Sequence, residues 1–285
     1  MPLLRGSQGS AVPAIVPRAH TTALDWQYYS CGANDLNGPV SLHDQLALGK
    51  RKLKAIFGSL PSHTLRAGEL LGGYGSSDAI FRLRGGWACQ FRDLANGRRA
   101  FTDVYLPGDV IGLNAGVRAR PLEEVLTLTA AIIETIPADD GLVELITDRS
   151  IALYIAFLLC LSQRRSDRLL VAISSLDARG RLAMMLLDFY KRLRSRKLIS
   201  GSTYNLPLSQ VQIGNYLGLT VVHINRVLRS LRSEQIVDLE KHHVTILDLE
   251  RLVIMARNGG TARCCLSEAA DQSRSEQSDA SRCQH

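Results

Sequence analysis

The residues between Thr220 and Arg229 could contact nucleic acid. Asn225, Arg226 and Arg229 are spaced so that one side of a helix would carry all three. A guanidinium donates two parallel hydrogen bonds to a guanine edge, an asparagine amide pairs with adenine, and a valine methyl contacts the thymine methyl. A threonine at a helix N-terminus can hold a phosphate. The candidates for contact with double-stranded DNA are Thr220, Val221, Val222, Asn225, Arg226 and Arg229.

The surrounding stretch, residues 206–232, has the pattern of two helices joined by a tight turn. Ser209 is suited to cap the first helix, and Gly214 permits a close approach of the second helix. Gly218 suits the turn, where a positive φ is often needed. The positions that support a helix-turn-helix by being small, apolar or capping are Ser209, Ile213, Gly214, Leu217, Gly218, Leu219, Thr220, Ile224, Val227, Leu228 and Leu231. The alternative is an ordinary helical hairpin within a core.

Two apolar runs, 236–239 and 244–247, follow this stretch and flank Lys241, His242 and His243. They predict a small hairpin, which would form a wing beside the two helices. Adjacent histidines in such a turn can be solvated, face a phosphate or bind a metal, and the first two interpretations are favoured over the third.

Charge is concentrated in the same part of the chain. The formal net charge is +7, and residues 177–257 hold thirteen Lys/Arg against seven Asp/Glu. A basic C-terminal third suits a polyanionic partner. A solvated basic surface is the alternative on charge alone.

The N-terminal half has a different pattern. Residues 1–40 lack sustained periodicity and predict a disordered extension, whereas 41–57 predict a helix with one side formed by Leu46, Leu48, Leu53 and Ile56. Short apolar runs then alternate with turn signals over 62–137. The sequence Asn96-Gly97 between two such runs indicates a hairpin. Many short strands at this spacing predict a barrel, roll or sandwich.

A helical pattern returns at 141–175, where apolar residues recur in steps of four and three, interrupted by Ser162 and Arg165. The stripe is formed by Ile151, Ile155, Leu158, Leu169 and Ala172. It predicts either a dimer seam, which we favour, or packing against its own domain. Residues 177–197 predict an amphipathic helix, and 258–285 predict a disordered tail.

The order of short helix, β-rich segment, long helix and winged helix-turn-helix resembles the Crp/Fnr family of bacterial regulators over roughly residues 41–255. The most specific matches are 106–112 (LPGDVIG), 177–183 (DARGRLA) and 217–229 (LGLTVVHINRVLR). The resemblance implies an α+β fold: a double-stranded β-roll of cyclic-nucleotide-binding type (41–140), a long dimerisation helix (141–175) and a winged helix-turn-helix domain (176–257). It further implies a homodimer on palindromic promoter DNA, with RNA polymerase as a further partner. A cytoplasmic location is expected because the sequence shows neither a membrane span nor a secretory signal. Arg226 matches the family's recognition-helix arginine, whereas Val222 stands where many members have an acidic residue.

No effector is indicated by the sequence. Cyclic-nucleotide binders of the family have Gly-Glu-Leu and then Arg-Ser or Arg-Ala, where this chain has 112–114 (GLN) and 120–124 (RPLEE). A cyclic phosphate there would lack its counter-charge. A cyclic-nucleotide-dependent regulator is therefore the alternative function, and a regulator without an effector is another.

Cofactors and metals are not predicted either. An iron–sulfur centre needs about four thiolates, and only Cys31 and Cys89 are available in the N-terminal part. Cys89 is predicted to be a buried structural residue rather than a haem or redox residue. A cupin-like metalloenzyme is the remote alternative, but the strand-rich segment 62–137 contains one histidine, His63. No apolar run suggests a membrane span and no secretory signal is recognised.

Overall fold

Residues 41–74, 79–113, 124–136 and 138–258 are described by the computed structural model of the protein. The expected N-terminal extension, and the tail beyond Asn258, lie outside these ranges. The tail was predicted to begin at 258, but the last helix runs from Leu249 to Asn258. Within the described ranges, no helix combines the length and apolar character that a bilayer span requires.

The N-terminal half consists of a helix followed by short strands. Its elements are α1 (Leu42–Ser59), β1 (Ser62–Leu65), a 3₁₀ helix (Leu71–Tyr74), β2 (Ile80–Gly85), β3 (Ala88–Asp93), β4 (Arg99–Tyr105), β5 (Val110–Ile111), β6 (Val125–Thr127) and β7 (Ala131–Ile136). Two antiparallel sheets result, with strand orders β1-β7-β2-β5 and β4-β3-β6. This is the predicted β-roll. The hairpin at Asn96-Gly97 is confirmed, since Asp93 pairs with Arg99 across it and Gly97 has φ +74°.

Helix α1 begins one residue after its N-cap, Ser41, whose hydroxyl accepts from the N–H of Asp44. Its buried residues are Gly49, Leu53 and Phe57. The predicted inner side was therefore wrong at Ile56, which is exposed. Helix α1 packs against the later long helix at Gly49, where an added Cβ would lie 1.9 Å from the carbonyl oxygen of Ser150. This close approach sets which side of α1 faces inward.

The single helix predicted for 141–175 is two helices, α2 (Ala138–Thr147) and α3 (Arg149–Ser175). Asp148 separates them. Its carboxylate accepts from the N–H groups of Ser150 and Ile151, which caps α3. Lys52 of α1 also donates to Asp148, at 2.5 Å. The break is therefore stabilised both by a cap and by a contact with α1.

The apolar stripe of α3 packs against its own chain. Ile151 and Ile155 join a core cluster with residues of α1 and β7, and Leu169 and Ala172 are also buried. Arg165, which interrupts the stripe, forms an ion pair with Asp103 of β4. The preference for these residues as a dimer seam was therefore wrong, because this side of the helix is already occupied within the protomer.

The C-terminal half is mostly helical. Its elements are α4 (Ala178–Ser195), β8 (Thr203–Asn205), α5 (Gln210–Leu217), α6 (Val221–Ser233), β9 (Val237–Glu240), β10 (His243–Ile246) and α7 (Leu249–Asn258). Strands β8, β10 and β9 form a small antiparallel sheet in that order.

One hydrophobic cluster joins the C-terminal half to the sheet β4-β3-β6. Trp87 meets the edge of Phe189 with ring centroids 5.4 Å apart, and Phe189 stacks on Tyr216 of α5 at 6.2 Å. The helix-turn-helix is therefore positioned by α4, which is itself packed against the roll.

Candidate nucleic-acid interface

Helix α5 is fixed at its start by a capping box. The hydroxyl of Ser209 accepts from the N–H of Gln212, and the side chain of Gln212 accepts from the N–H of Ser209 at 2.8 Å. Ile213 and Leu217 lie one turn apart and are fully buried. These two side chains form the inner side of the first helix.

The turn between α5 and α6 depends on two glycines. Gly218 ends α5 with φ +66°, a left-handed conformation that costs glycine little. Gly214 lies so close to the turn that an added Cβ would be 2.5 Å from the carbonyl oxygen of Leu219. Leu219 itself packs against the core. Thr220 then caps α6, accepting from the N–H of His223 at 3.3 Å.

Helix α6 separates into a buried and an exposed side. Ile224, Val227 and Leu231 are buried, and Leu228 is partly buried against the same core. The candidate contact residues on the other side differ in exposure. Val222 is 75% exposed and Val221 only 37%, while Arg226 and Arg229 are exposed and Asn225 is half-buried.

Most basic side chains of the C-terminal half are engaged by the protein itself. Arg181, for example, donates to the carbonyl oxygens of Leu176 and Ile173, and Arg194 donates to the hydroxyl of Tyr190. Within the part of the chain that the structure describes, five basic residues of 177–257 have no such partner. They are Lys197, Arg226, Arg229, Lys241 and Arg257. Two of the five lie on the exposed side of α6, where their charge is available to an anion.

The C-terminal end of α6 is held by Glu234. This carboxylate accepts from Arg179 of α4, Ser230 of α6 and Arg251 of α7. The hydrogen bond from Arg179 is the main reason that the pKa of Glu234 is lowered. Three helices thus meet at one carboxylate, which fixes the orientation of α6 relative to the rest of the domain.

The wing contains one strand more than predicted. Besides the hairpin of β9 and β10, β8 pairs with β10 through Tyr204 opposite Val244. Lys241 and His242 form the hairpin turn with φ +45° and +71°. A ring nitrogen of His242 lies 3.1 Å from the carbonyl oxygen of Leu206, so this side chain contacts the backbone in front of α5. Lys241 is exposed beside it.

A cavity of about 520 Å³ lies between the roll and α3. Asp103 and Tyr105 line it from β4, and Cys160 and Arg165 line it from α3. Arg165 donates to both carboxylate oxygens of Asp103. Its Nη2 lies 2.8 Å from Oδ2, and its Nε lies 3.2 Å from Oδ2 and 3.3 Å from Oδ1. The guanidinium in this wall is therefore already paired with a carboxylate. Residues 114–123 lie outside the described residues. They include most of the positions at which cyclic-nucleotide binders of the family have Gly-Glu-Leu and then Arg-Ser or Arg-Ala.

Cys89 is fully buried in β3, and burial raises the pKa of its thiol to about 12. Such a thiol stays protonated and unreactive at neutral pH, which agrees with the interpretation as a structural residue. Cys31 lies outside the described residues. Among the residues that are described, no three His, Cys, Asp or Glu side chains come together as a metal site.

Known proteins resemble this chain in both halves. The family model of the Crp-like helix-turn-helix domain matches residues 180–254. An anaerobic regulatory protein of Haemophilus influenzae is 28% identical over 180 residues, which is 62% of this chain and 69% of that protein. The transcriptional activator protein FnrA of Stutzerimonas stutzeri is 27% identical over 198 residues, covering 67% and 79%. The chain is a DNA-binding transcription regulator, and its helix-turn-helix domain is Crp-like.

Solved structures have the same fold as this regulator. FixK2 from Bradyrhizobium japonicum superimposes with a TM-score of 0.59 at 21% identity, covering 68% of this chain and 96% of that one. A CRP-family transcriptional regulator from Thermus thermophilus gives 0.55 at 20% identity, with coverages of 69% and 97%. A β-roll followed by a helix-turn-helix, in a DNA-binding transcription regulator, is thus the architecture of the chain.

Sequence reasoning did not single out Lys197 and Arg257 of this regulator. Both are basic residues without a partner among the described residues, but their neighbours in the sequence include other basic residues that are engaged. Lys197 follows α4 with φ +58°. Only the side-chain contacts distinguish these two residues, because a count of charges in the sequence does not separate paired basic residues from unpaired ones.

Proposed function

We propose that the protein binds a palindromic promoter site as a homodimer, with α6 of each protomer in the major groove of one half-site. The observation that carries this proposal is that two arginines of α6 are unpaired while a third is paired. Arg226 and Arg229 have no partner among the described residues, whereas Arg232, at the end of the same helix, is paired with Asp238. Unpaired guanidiniums beside each other on an exposed helix side suit bidentate contact with bases and phosphates.

The start of α6 supports the same orientation. Recognition helices contact base edges with their N-terminal residues. Val221 and Val222 lie in the first turn of α6, and their peptide N–H groups have no partner within the helix, whereas that of His223 donates to Thr220. Together with Thr220 they form a site for a phosphate oxygen. Asn225 and Arg226 follow one turn later, within reach of base edges.

A homodimer through the outer side of α3 is the proposed assembly. The helix has 27 residues, about 40 Å of length at 1.5 Å per residue. Towards its C-terminal end the helix exposes apolar side chains, which are Leu170, Val171 and Ile173. Leu170 is 68% exposed, so pairing with a second copy would remove apolar surface from water.

Selection of sites from random DNA with the purified full-length protein tests this function. We expect a palindrome with half-sites one helical turn apart, about 34 Å between their centres. Light scattering of the complex should give two protomers per duplex. Leu170→Glu should dissociate the dimer and weaken binding, whereas Val143→Glu, at an exposed valine of α2, should do neither. Failure to recover any palindrome at modest salt would contradict the proposal.

We further propose that the cavity beside α3 does not accept a cyclic nucleotide. Among its described lining residues, Arg165 is the guanidinium, and it is bound to both oxygens of Asp103. A cyclic phosphate would have to displace this carboxylate in order to pair with Arg165. Calorimetry with cyclic AMP and cyclic GMP tests this statement. Tight binding of either nucleotide would favour the alternative of a cyclic-nucleotide-dependent regulator.

RNA polymerase is the further partner that we propose. A regulator that activates from a promoter site acts on the polymerase bound beside it, and relatives such as FnrA of Stutzerimonas stutzeri are named as activators. In vitro transcription from a template with the selected palindrome upstream of the promoter tests this. We expect the transcript yield to change when the protein is added, and no change on a template without the palindrome.

A further inference from the structure

Val222 has the highest exposed fraction among the large hydrophobic side chains in the described part of the chain, at 75%. Asn225, Arg226 and Arg229 follow it at three, four and seven residues, so all four share one side of α6. The buried side, with Ile224 and its partners, faces the other way. An apolar residue therefore lies in the first turn of the surface that would enter the groove.

We propose that Val222 recognises the 5-methyl group of a thymine in each half-site and thereby specifies thymine at that base pair. This inference rests on the proposed binding of α6 in the major groove. The thymine methyl is the apolar group that base pairs present there, whereas the other base edges present hydrogen-bond donors and acceptors. Valine has neither a donor nor an acceptor, so opposite those edges it would remove water without replacing its hydrogen bonds.

The neighbouring valine does not compete for this role. Val221 is only 37% exposed, and it lies nearer than Val222 to the side of α6 that packs against the core. Arg226 is then available for a base beside the thymine. In the expected half-site, the thymine therefore lies close to a guanine or adenine that the protein also contacts.

Removal of single methyl groups from the DNA tests the inference. On the selected duplex, each thymine of a half-site is replaced in turn by deoxyuridine, which lacks only the methyl group. Affinity is measured by fluorescence anisotropy at fixed salt. We expect one thymine whose replacement weakens binding about four-fold in one half-site and about fifteen-fold in both, the value of one buried methyl group. Cytosine at this step should bind more weakly than 5-methylcytosine.

Protein variants identify the residue that contacts the methyl group. Val222→Ala should bind the thymine and uracil duplexes equally, because the two γ-methyl groups of valine that would contact the thymine methyl are removed. Val222→Glu should shift the preference at this step towards cytosine, whose amino group donates to a carboxylate. Val143→Ala, at a similarly exposed valine of α2, should keep the full sensitivity of the parent protein.

Two results would overturn the inference alone. One is a selected site at which every uracil substitution is tolerated, and the other is a methyl sensitivity that persists in Val222→Ala. If the parent protein selects no site at all, the proposed function fails and this inference fails with it. These outcomes are distinguishable, because specific binding is established on the unmodified duplex before any methyl group is removed.

Discussion

Arg192 of α4 donates to Asp109, at the turn before β5, across 2.5 Å, and both side chains are buried. Arg196, which follows the last residue of α4, donates to the other oxygen of the same carboxylate. The N–H of Leu106 donates to the oxygen that Arg192 contacts, at 2.7 Å. Two arginines at the C-terminal end of the helix that positions the helix-turn-helix are thus fixed to one carboxylate of the roll. This contact joins the two halves of the chain.

Replacing Asp109 by asparagine should destabilise the protein strongly. The change leaves the charge of Arg192 buried without its main counter-charge, and breaking a buried pair in this way costs about 3–5 kcal/mol. Urea unfolding monitored by tryptophan fluorescence should show the loss as a lower midpoint. Asp93→Asn is the matched control, because Asp93 pairs with Arg99 at the surface and its loss should change the midpoint little. Equal effects of the two substitutions would contradict the role given to the buried pair.

Stability should fall in acid because of the same carboxylate. Burial alone would raise the pKa of Asp109, but the charges of Arg196, Arg192 and Arg165 outweigh it and hold the pKa well below its ordinary value. A carboxyl whose pKa is lower in the folded state contributes stability above its unfolded pKa, about 4, and loses it as the pH falls further. The free energy of unfolding should therefore decrease below about pH 4. Asp109→Asn should show a shallower decrease, and an identical pH profile would contradict this.

The local features of the helix-turn-helix could be predicted because each depends on neighbouring residues. Ser209 and Thr220 cap the helices that follow them, and Gly218 has the positive φ that its place in the turn suggested. The hairpin at Asn96-Gly97 is local in the same sense. Caps and tight turns are determined within a few residues, so the sequence is sufficient to locate them.

Other features depend on contacts between distant residues, which a pattern of apolar residues does not contain. Periodicity identified the stripe of α3 but not its partner, which is supplied by α1 and the roll rather than by a second copy. The pairing of Asp109 with Arg192 spans 83 residues. The break at Asp148 was missed because apolar spacing continues on both sides of it. The unpaired state of Arg226 likewise became visible only when the partners of the other arginines were known.

Gly214→Ala should disturb the helix-turn-helix. The added Cβ would lie 2.5 Å from the carbonyl oxygen of Leu219, a backbone atom that can move only if the turn moves. We expect a loss of about 1–3 kcal/mol in unfolding free energy, together with weaker DNA binding. Gly58→Ala in α1 is the control, since its Cβ would meet nothing within 4 Å. That variant should be more stable by about 0.5–1 kcal/mol. A Gly214→Ala protein as stable as its parent would show that the helices are not in close contact.

Binding of the Arg226→Ala variant to the selected palindrome tests the central claim most directly. The measurement is an anisotropy titration at fixed salt on the palindrome and on duplexes with single base changes, with Arg51→Ala, an exposed arginine of α1, as the charge-matched control. We predict that Arg226→Ala loses about 1–3 kcal/mol of binding free energy and no longer discriminates at one base step. Arg51→Ala should bind as the parent does. Unchanged affinity and unchanged base preference in Arg226→Ala would contradict the assignment of α6 as the helix that recognises DNA.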